Sequence, residues 1–181
     1  MQEPDFLYLI ENGFNVKRFH TEPLIREDTV GHHSAGVAGI IFWLYGKNKP
    51  SIELIEAALF HDIAEYSTGD TPAQAKWVNP DLHRELYRTE DAIWQELNRL
   101  PPHKALDTDG EFVLMYADNM ECVKKVLHEM EMGNTRICFV AERIFEKVKE
   151  RRIIQKLDSQ IQERAFELLS HYEWRFRNAS K

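Results

Sequence analysis

The run from Ala58 to Asp70, ALFHDIAEYSTGD, sets His61 and Asp62 side by side at the end of an apolar helix, adds Glu65, and closes on a Gly-Asp turn. An ionised aspartate withdrawn from water costs several kcal/mol unless it is paired or bound to a cation, so an Asp that follows AALFH needs a partner. A divalent metal would be one. His33 shares a helix face with Val37 and Leu44, so its ring is expected to point inward. Asp118 lies between Leu114, four residues before it, and Cys122, four residues after it, and so borders an apolar face. Taken singly, an inward histidine is most simply a core residue bonded to a carbonyl, and Asp118 a capping or ion-pairing residue. Taken together, His33, His61, Asp62 and Asp118 give two imidazoles and two carboxylates from three helices. That donor set suits a first-row divalent cation, with positions left for water and a phosphate oxygen.

The elements that must position these groups read as helix almost throughout. VGHHSAGVAGIIFWLYG brings His33, Val37, Ile40 or Ile41, and Leu44 onto one face and ends at Gly46, which predicts a helix over 30–45. PSIELIEAALFHDIAEY opens with Pro50 and a Ser51 cap and is apolar nearly all round, which predicts a helix buried on most sides, with Glu65 in its last turn. Gly69, Pro72, Asn79 and Pro80 then mark a long loop. Further helices are expected over 82–99, over 107–132 with a stop at Gly133-Asn134, and over 135–177 with a break near Arg151. No segment alternates as a strand would, so the expected architecture is an all-α bundle.

The chain's 181 residues suffice for one domain with a full core, and one domain over 1–181 is expected. No run approaches the roughly 18 to 20 apolar residues of a bilayer span. The start, MQEPDFLYLIENG, has no basic stretch before its apolar segment and does not read as a secretory signal. Cys122 and Cys138 sit among apolar helical positions and read as reduced thiols, which points to a cytoplasmic setting without membrane association. With 23 Lys plus Arg against 30 Asp plus Glu, the net charge is −7. That balance argues against a polymeric nucleic-acid partner, while two or three placed cations would still serve a small phosphorylated substrate.

Three segments carry a resemblance to a known family: KRFHTEPLIREDTVGHHS, HDIAEYSTGDTPAQAK and ADNMECVKKVLHEMEMGN. An HD pair ending an apolar helix, with an earlier His and a later Asp on other helices, resembles the HD-domain metal-dependent phosphohydrolases. The longer pattern is similar to bacterial 5'-deoxynucleotidases and to phage dATP triphosphohydrolases of phages that replace adenine with 2-aminoadenine. It spans about residues 18–134, leaving 135–178 as C-terminal helices. The resemblance implies His33, His61, Asp62 and Asp118 as metal ligands. It implies Glu65 and Asp70 as catalytic carboxylates, and Arg18, Phe19 and Lys76 as substrate contacts. Glu65 follows His61 by four positions and shares its helix side, whereas Asp70 could equally be simple turn chemistry after Gly69. A guanidinium suits phosphate oxygens, and Lys76 could hold outer phosphates as a point charge. Phe19 stands where relatives carry Trp. A flat apolar ring there would accept a 2'-CH2 and penalise a 2'-hydroxyl by about 1 to 3 kcal/mol. Arg26 is a weaker phosphate candidate. His32 replaces the usual Glu beside a ligand, where it could alter the hydrogen bonding around the metal.

The implied reaction is attack of water on the 5' phosphorus of a 2'-deoxynucleotide, with a cation (Mn2+, Co2+, Zn2+ or Mg2+) lowering the water's pKa. Glu65 or Asp70 would handle protons; which is base and which acid stays open. The short chain, the KRFHT run and Lys76 favour a dATP or dNTP triphosphohydrolase over a deoxynucleoside monophosphatase. The localisation would be host cytoplasm if the chain is phage-encoded, and the resemblance implies a homo-oligomer. Outside this class stand a non-catalytic HD-fold nucleotide sensor and a hydrolase of signalling nucleotides.

Overall fold

A computed structural model describes residues 5–179. The architecture is the expected helical bundle. Helices α1 (Phe6–Gly13), α2 (Val30–Tyr45), α3 (Ile52–Phe60), α4 (Ala73–Val78), α5 (Pro80–Glu96), α6 (Thr108–Glu131), α7 (Cys138–Glu150) and α8 (Ser159–Ala179) follow in chain order. A two-residue antiparallel ladder, β1 (Lys17–Arg18) with β2 (Asp28–Thr29), was not foreseen in the sequence. Two residues are too few to show a period of two.

The core is built on α6, the longest helix. It packs against α2 on one side and against α7 and α8 on others, while α3 lies against α2. Val37, Ile41 and Leu44 of α2 meet Tyr116, Ala117, Met120 and Leu127 of α6 in one buried cluster. The Tyr116 hydroxyl donates to the carbonyl of Ala165 at 2.6 Å, which gives the buried phenol its partner and ties α8 to α6. Polar caps set the starts: Thr29 Oγ1 accepts the His32 N–H, Ser51 Oγ the Leu54 N–H, and Asp107 Oδ1 the Gly110 N–H.

Two expectations change. The buried helix ends at Phe60, one residue before the histidine, and a 3-10 turn over Ile63–Tyr66 carries Glu65 instead of a last α-turn. The region after Gly69 is not a bare loop: α4 and α5 occupy it, with Asn79 Oδ1 capping α5 through the Asp81 and Leu82 N–H groups. The Pro and Asn residues read as breakers are in fact helix starts. Gly13 explains how the 3-10 turn is held, because a Cβ there would lie 2.4 Å from the Ile63 carbonyl oxygen. Only glycine brings α1 this close, and Leu9, Val30, Ile63, Ala64, Ile93 and Trp94 form a second buried cluster around the contact. Cys122 and Cys138 are half-buried free thiols, as expected. Among the described residues no helix is long and apolar enough to cross a membrane.

Candidate active site

The four residues proposed from sequence as ligands come together where the middle of α6, the first turns of α2 and the end of α3 meet. His33 Nε2 lies 3.1 Å from Asp118 Oδ1 and 3.7 Å from Asp62 Oδ2, and His61 Nε2 lies 3.3 Å from Asp62 Oδ2. One donor atom each from His33, His61 and Asp118 falls within 4.8 Å of the others. A cation bound at about 2.0 to 2.2 Å by neighbouring ligands separates them by roughly 3 to 3.5 Å, so the observed spacings fit. This group could hold a metal ion.

The histidine tautomers agree with that reading. His33 Nδ1 lies 2.7 Å from Glu121 Oε2, and His61 Nδ1 lies 3.1 Å from the Ala58 carbonyl. With each Nδ1–H donated, Nε2 is the atom each ring offers to a cation, which would take the place of a proton there. Both Nε2 atoms are buried and neither makes a hydrogen bond of acceptable geometry. Two buried nitrogens without partners, aimed at two carboxylates, fit a divalent cation on the chemistry of the donor set.

Glu121 was missed in the sequence. It sits three residues beyond Asp118 on α6, is nearly inaccessible, and receives Lys124 at 2.9 Å with Arg18 at 3.8 Å. Burial opposes its charge, but the contacts with His33 and Lys124 hold its carboxyl below the usual range. A glutamate following Asp118 by three on a buried helix was the available signal, but without knowing that α2 crosses α6 there, it reads as a polar-face residue. Gly36 makes the crossing close: a Cβ would lie 2.6 Å from Glu121 Cγ. His32, the departure beside the ligand, is exposed, and Glu121 supplies the carboxylate behind His33 instead.

The cluster is strongly anionic. Burial opposes the charge on His61, but Asp62 and then Asp118 overcome it and raise the imidazole to about 9. Burial likewise opposes ionisation of Asp62, yet His61, His33 and Arg18 hold it far below its ordinary value. Arg18 lies deep in the same pocket. Its burial disfavours charge, and the surrounding acids, among them Asp62, Asp118 and Asp70, more than restore it. Its Nε and one terminal nitrogen have no hydrogen-bond partner although buried. A cation so placed, with free donors, is a ready phosphate contact.

Glu65 is buried, with Oε1 3.8 Å from Lys76 Nζ and Oε2 unpaired. Burial, then Asp62 and Asp70, push its carboxyl up to about 10. Asp70 Oδ2 accepts the Phe19 N–H at 2.9 Å. Phe19 takes a left-handed backbone (φ 54°), uncommon for a residue with a Cβ, and this bond helps hold it there. Lys76 comes from α4 rather than from a loop. The Arg26 side chain is exposed; its backbone is what the fold uses, as described next.

The EMEMGN segment, which had a family match but no assigned role, clamps the chain that leads from Phe19 to α2 through its buried Glu129 and its Asn134. Glu129, fully buried, accepts the N–H groups of Ile25 (2.7 Å) and Arg26 (3.0 Å) and receives Lys125 and Asn134, each at 3.0 Å. Asn134 also donates to the Pro23 carbonyl, and Lys125 to that of Arg26.

All nine residues proposed from sequence border one cavity of about 1050 Å³ except His33, which lies behind its wall. A family model described as 5'-deoxynucleotidase YfbR-like matches residues 5–163. The chain belongs to that family. It is 26% identical to a 5'-deoxynucleotidase of Photorhabdus laumondii (74% of this chain, 77% of the relative). It is 24% identical to one of Vibrio vulnificus (84% and 88%). Its fold matches the cyanophage S-2L HD phosphohydrolase DatZ, bound to dA and one catalytic Zn2+ ion, with a TM-score of 0.70 at 21% identity over 94% of this chain and 96% of that one. An HD-domain phosphohydrolase of Listeria innocua matches with a TM-score of 0.64 at 18% identity, over 93% and 96%. This YfbR-like chain is therefore an HD-fold deoxynucleotide phosphohydrolase whose site has a His-His-Asp group that could hold a metal ion.

Proposed function

We propose that this enzyme hydrolyses 2'-deoxynucleoside 5'-triphosphates at the 5' phosphorus, releasing deoxynucleoside and tripolyphosphate, with dATP as the first substrate to test. His33, His61, Asp62 and Asp118 would hold the divalent cation, and DatZ with its Zn2+ ion supports zinc among the candidates. When bound, that cation supplies a Lewis acid for phosphoryl oxygens and acidifies water. The chain's own residues do the rest. Arg18, buried beside the cluster, binds and orients the scissile phosphate through its unpaired N–H groups. Glu65, whose carboxyl is pushed upward by burial and by the neighbouring acids, is suited to give a proton to the leaving 5' oxygen, and Lys76 beside it holds charge on the outer phosphates. Asp70 acts by fixing Phe19, which borders the cavity where its ring could meet the sugar.

The observation that carries the triphosphate reading is the distribution of cations. Beyond Arg18 and Lys76 the cavity is bordered by Arg143, Lys147 and Arg151, which, interleaved with Glu146 and Glu150, offer cations to phosphates beyond the first. The second reading, a 5'-deoxynucleotidase acting on monophosphates, is favoured by the names of the bacterial relatives. Incubation with dATP and dAMP plus Mn2+, Co2+ or Zn2+, with product identification, separates them. Tripolyphosphate from dATP supports the first reading, orthophosphate from dAMP alone supports the second, and no phosphate from either removes both. A non-catalytic sensor would also give that last result while still binding nucleotide.

A further inference from the structure

The cavity has a wall that the hydrolytic machinery does not use. On α5, His83, Tyr87 and Glu90 fall at i, i+4 and i+7, one helix face, and all three border the cavity. The 3-10 turn Pro102–Ala105, which packs against α3, adds His103 to the same wall. The rings interlock edge to face: His83 and Tyr87 have centroids 4.9 Å apart at 82°, and Tyr87 and His103 lie 6.4 Å apart at 79°. Tyr87 is 49% exposed, a large aromatic surface that the core does not consume.

The part of the cavity border built by α7 is charged rather than aromatic. There α7 and its C-cap residue Arg151 present Lys147 and Arg151 interleaved with Glu146 and Glu150, with the Lys147 ammonium donating to Asn119 Oδ1 at 3.0 Å next to Asp118. Burial and the Lys76 charge lower the pKa of His83, and burial lowers that of His103. The metal cluster borders the same cavity as the α5 wall, and Asp62 is near enough to act electrostatically on both Tyr87 and Glu90. A nucleotide joins an anionic phosphate end, which suits the metal cluster and Arg18, to a flat heterocycle, which suits an exposed aromatic ring in the same cavity.

We infer that His83, Tyr87 and His103 form the nucleobase subsite, with the base stacked on the Tyr87 ring while the phosphates lie at the metal cluster and toward α7. This rests on the deoxynucleotide-hydrolase reading above and adds where the base goes. Stacking of a base on an aromatic side chain is sequence-tolerant, because every base has a π-face. The subsite therefore recognises a nucleobase as a class.

The test compares KM for the better of dATP and dAMP with KM for its base-free analogue, 2-deoxyribose 5-triphosphate or 5-phosphate, in wild type, Tyr87→Ala, Tyr87→Phe and His103→Ala. Tyr87→Ala is expected to raise KM for the nucleotide about tenfold, within a range of roughly 5- to 100-fold. It should leave the base-free analogue within about twofold, and Tyr87→Phe should restore the wild-type value. His103→Ala should move in the same direction by less. An unchanged nucleotide KM in Tyr87→Ala, or an equal rise for both substrates, overturns the subsite. Wild-type enzyme that turns over both substrates with one KM also sinks it and leaves the hydrolase reading standing. Wild-type enzyme that hydrolyses neither ends both.

Discussion

Replacing Glu129 with Gln tests the clamp that seats the substrate-facing loop. The fully buried carboxylate takes four hydrogen bonds, two from the backbone of Ile25 and Arg26 and two from Lys125 and Asn134. Burial opposes its ionisation, but those bonds lower its pKa from the ordinary 4.5 to about 2. At 1.36 kcal/mol per unit, a shift of about 2.5 units corresponds to roughly 3 kcal/mol of folding stability at pH 7. Because the folded value lies below the unfolded one, this contribution is complete above about pH 4.5 and drains away as the pH falls toward 2. Glutamine keeps one acceptor oxygen, loses the charge facing Lys125, and turns an N–H toward a backbone N–H. Urea denaturation should show Glu129→Gln less stable by about 3 kcal/mol at pH 7, with the gap to wild type narrowing to about half or less near pH 3. KM for the nucleotide should rise as well, because the loop carries the chain from Phe19 into α2. A difference below about 1 kcal/mol at pH 7, or one that stays constant from pH 7 to pH 3, would refute the reasoning.

Three further outcomes follow from the site. Glu121→Gln weakens the carboxylate that orients His33, so affinity for Zn2+ or Mn2+, measured by competition with a chelating dye, should fall about 10- to 100-fold with the fold intact. Glu65→Gln removes the proton carrier and leaves the donor cluster untouched: kcat should fall about 10²- to 10⁴-fold while metal content by elemental analysis stays at the wild-type level. His61→Ala deletes a donor outright and should reduce both metal content and turnover by more than about a hundredfold; a variant that keeps turnover would place the chemistry elsewhere.

The sequence by itself determined which groups need one another. An Asp after AALFH, an inward His33 and an Asp118 bordering an apolar face each carry a desolvation cost, and that cost is written in residue type and period, so the meeting of these groups and the helical class were legible. Helix ends were less so. Whether His61 closes an α-turn or stands one residue beyond it depends on α1 pressing Gly13 against Ile63, a contact between distant parts of the chain. Contacts of that kind decided the rest. Glu121 became the partner of His33 only because α2 crosses α6 at Gly36, and Glu129 became a loop clamp only because residues 25 and 26 return to α6 across some hundred positions of sequence. Desolvation is local and shows in composition and spacing, whereas a hydrogen bond needs a partner within about 3 Å, and only the packed helices bring that partner there.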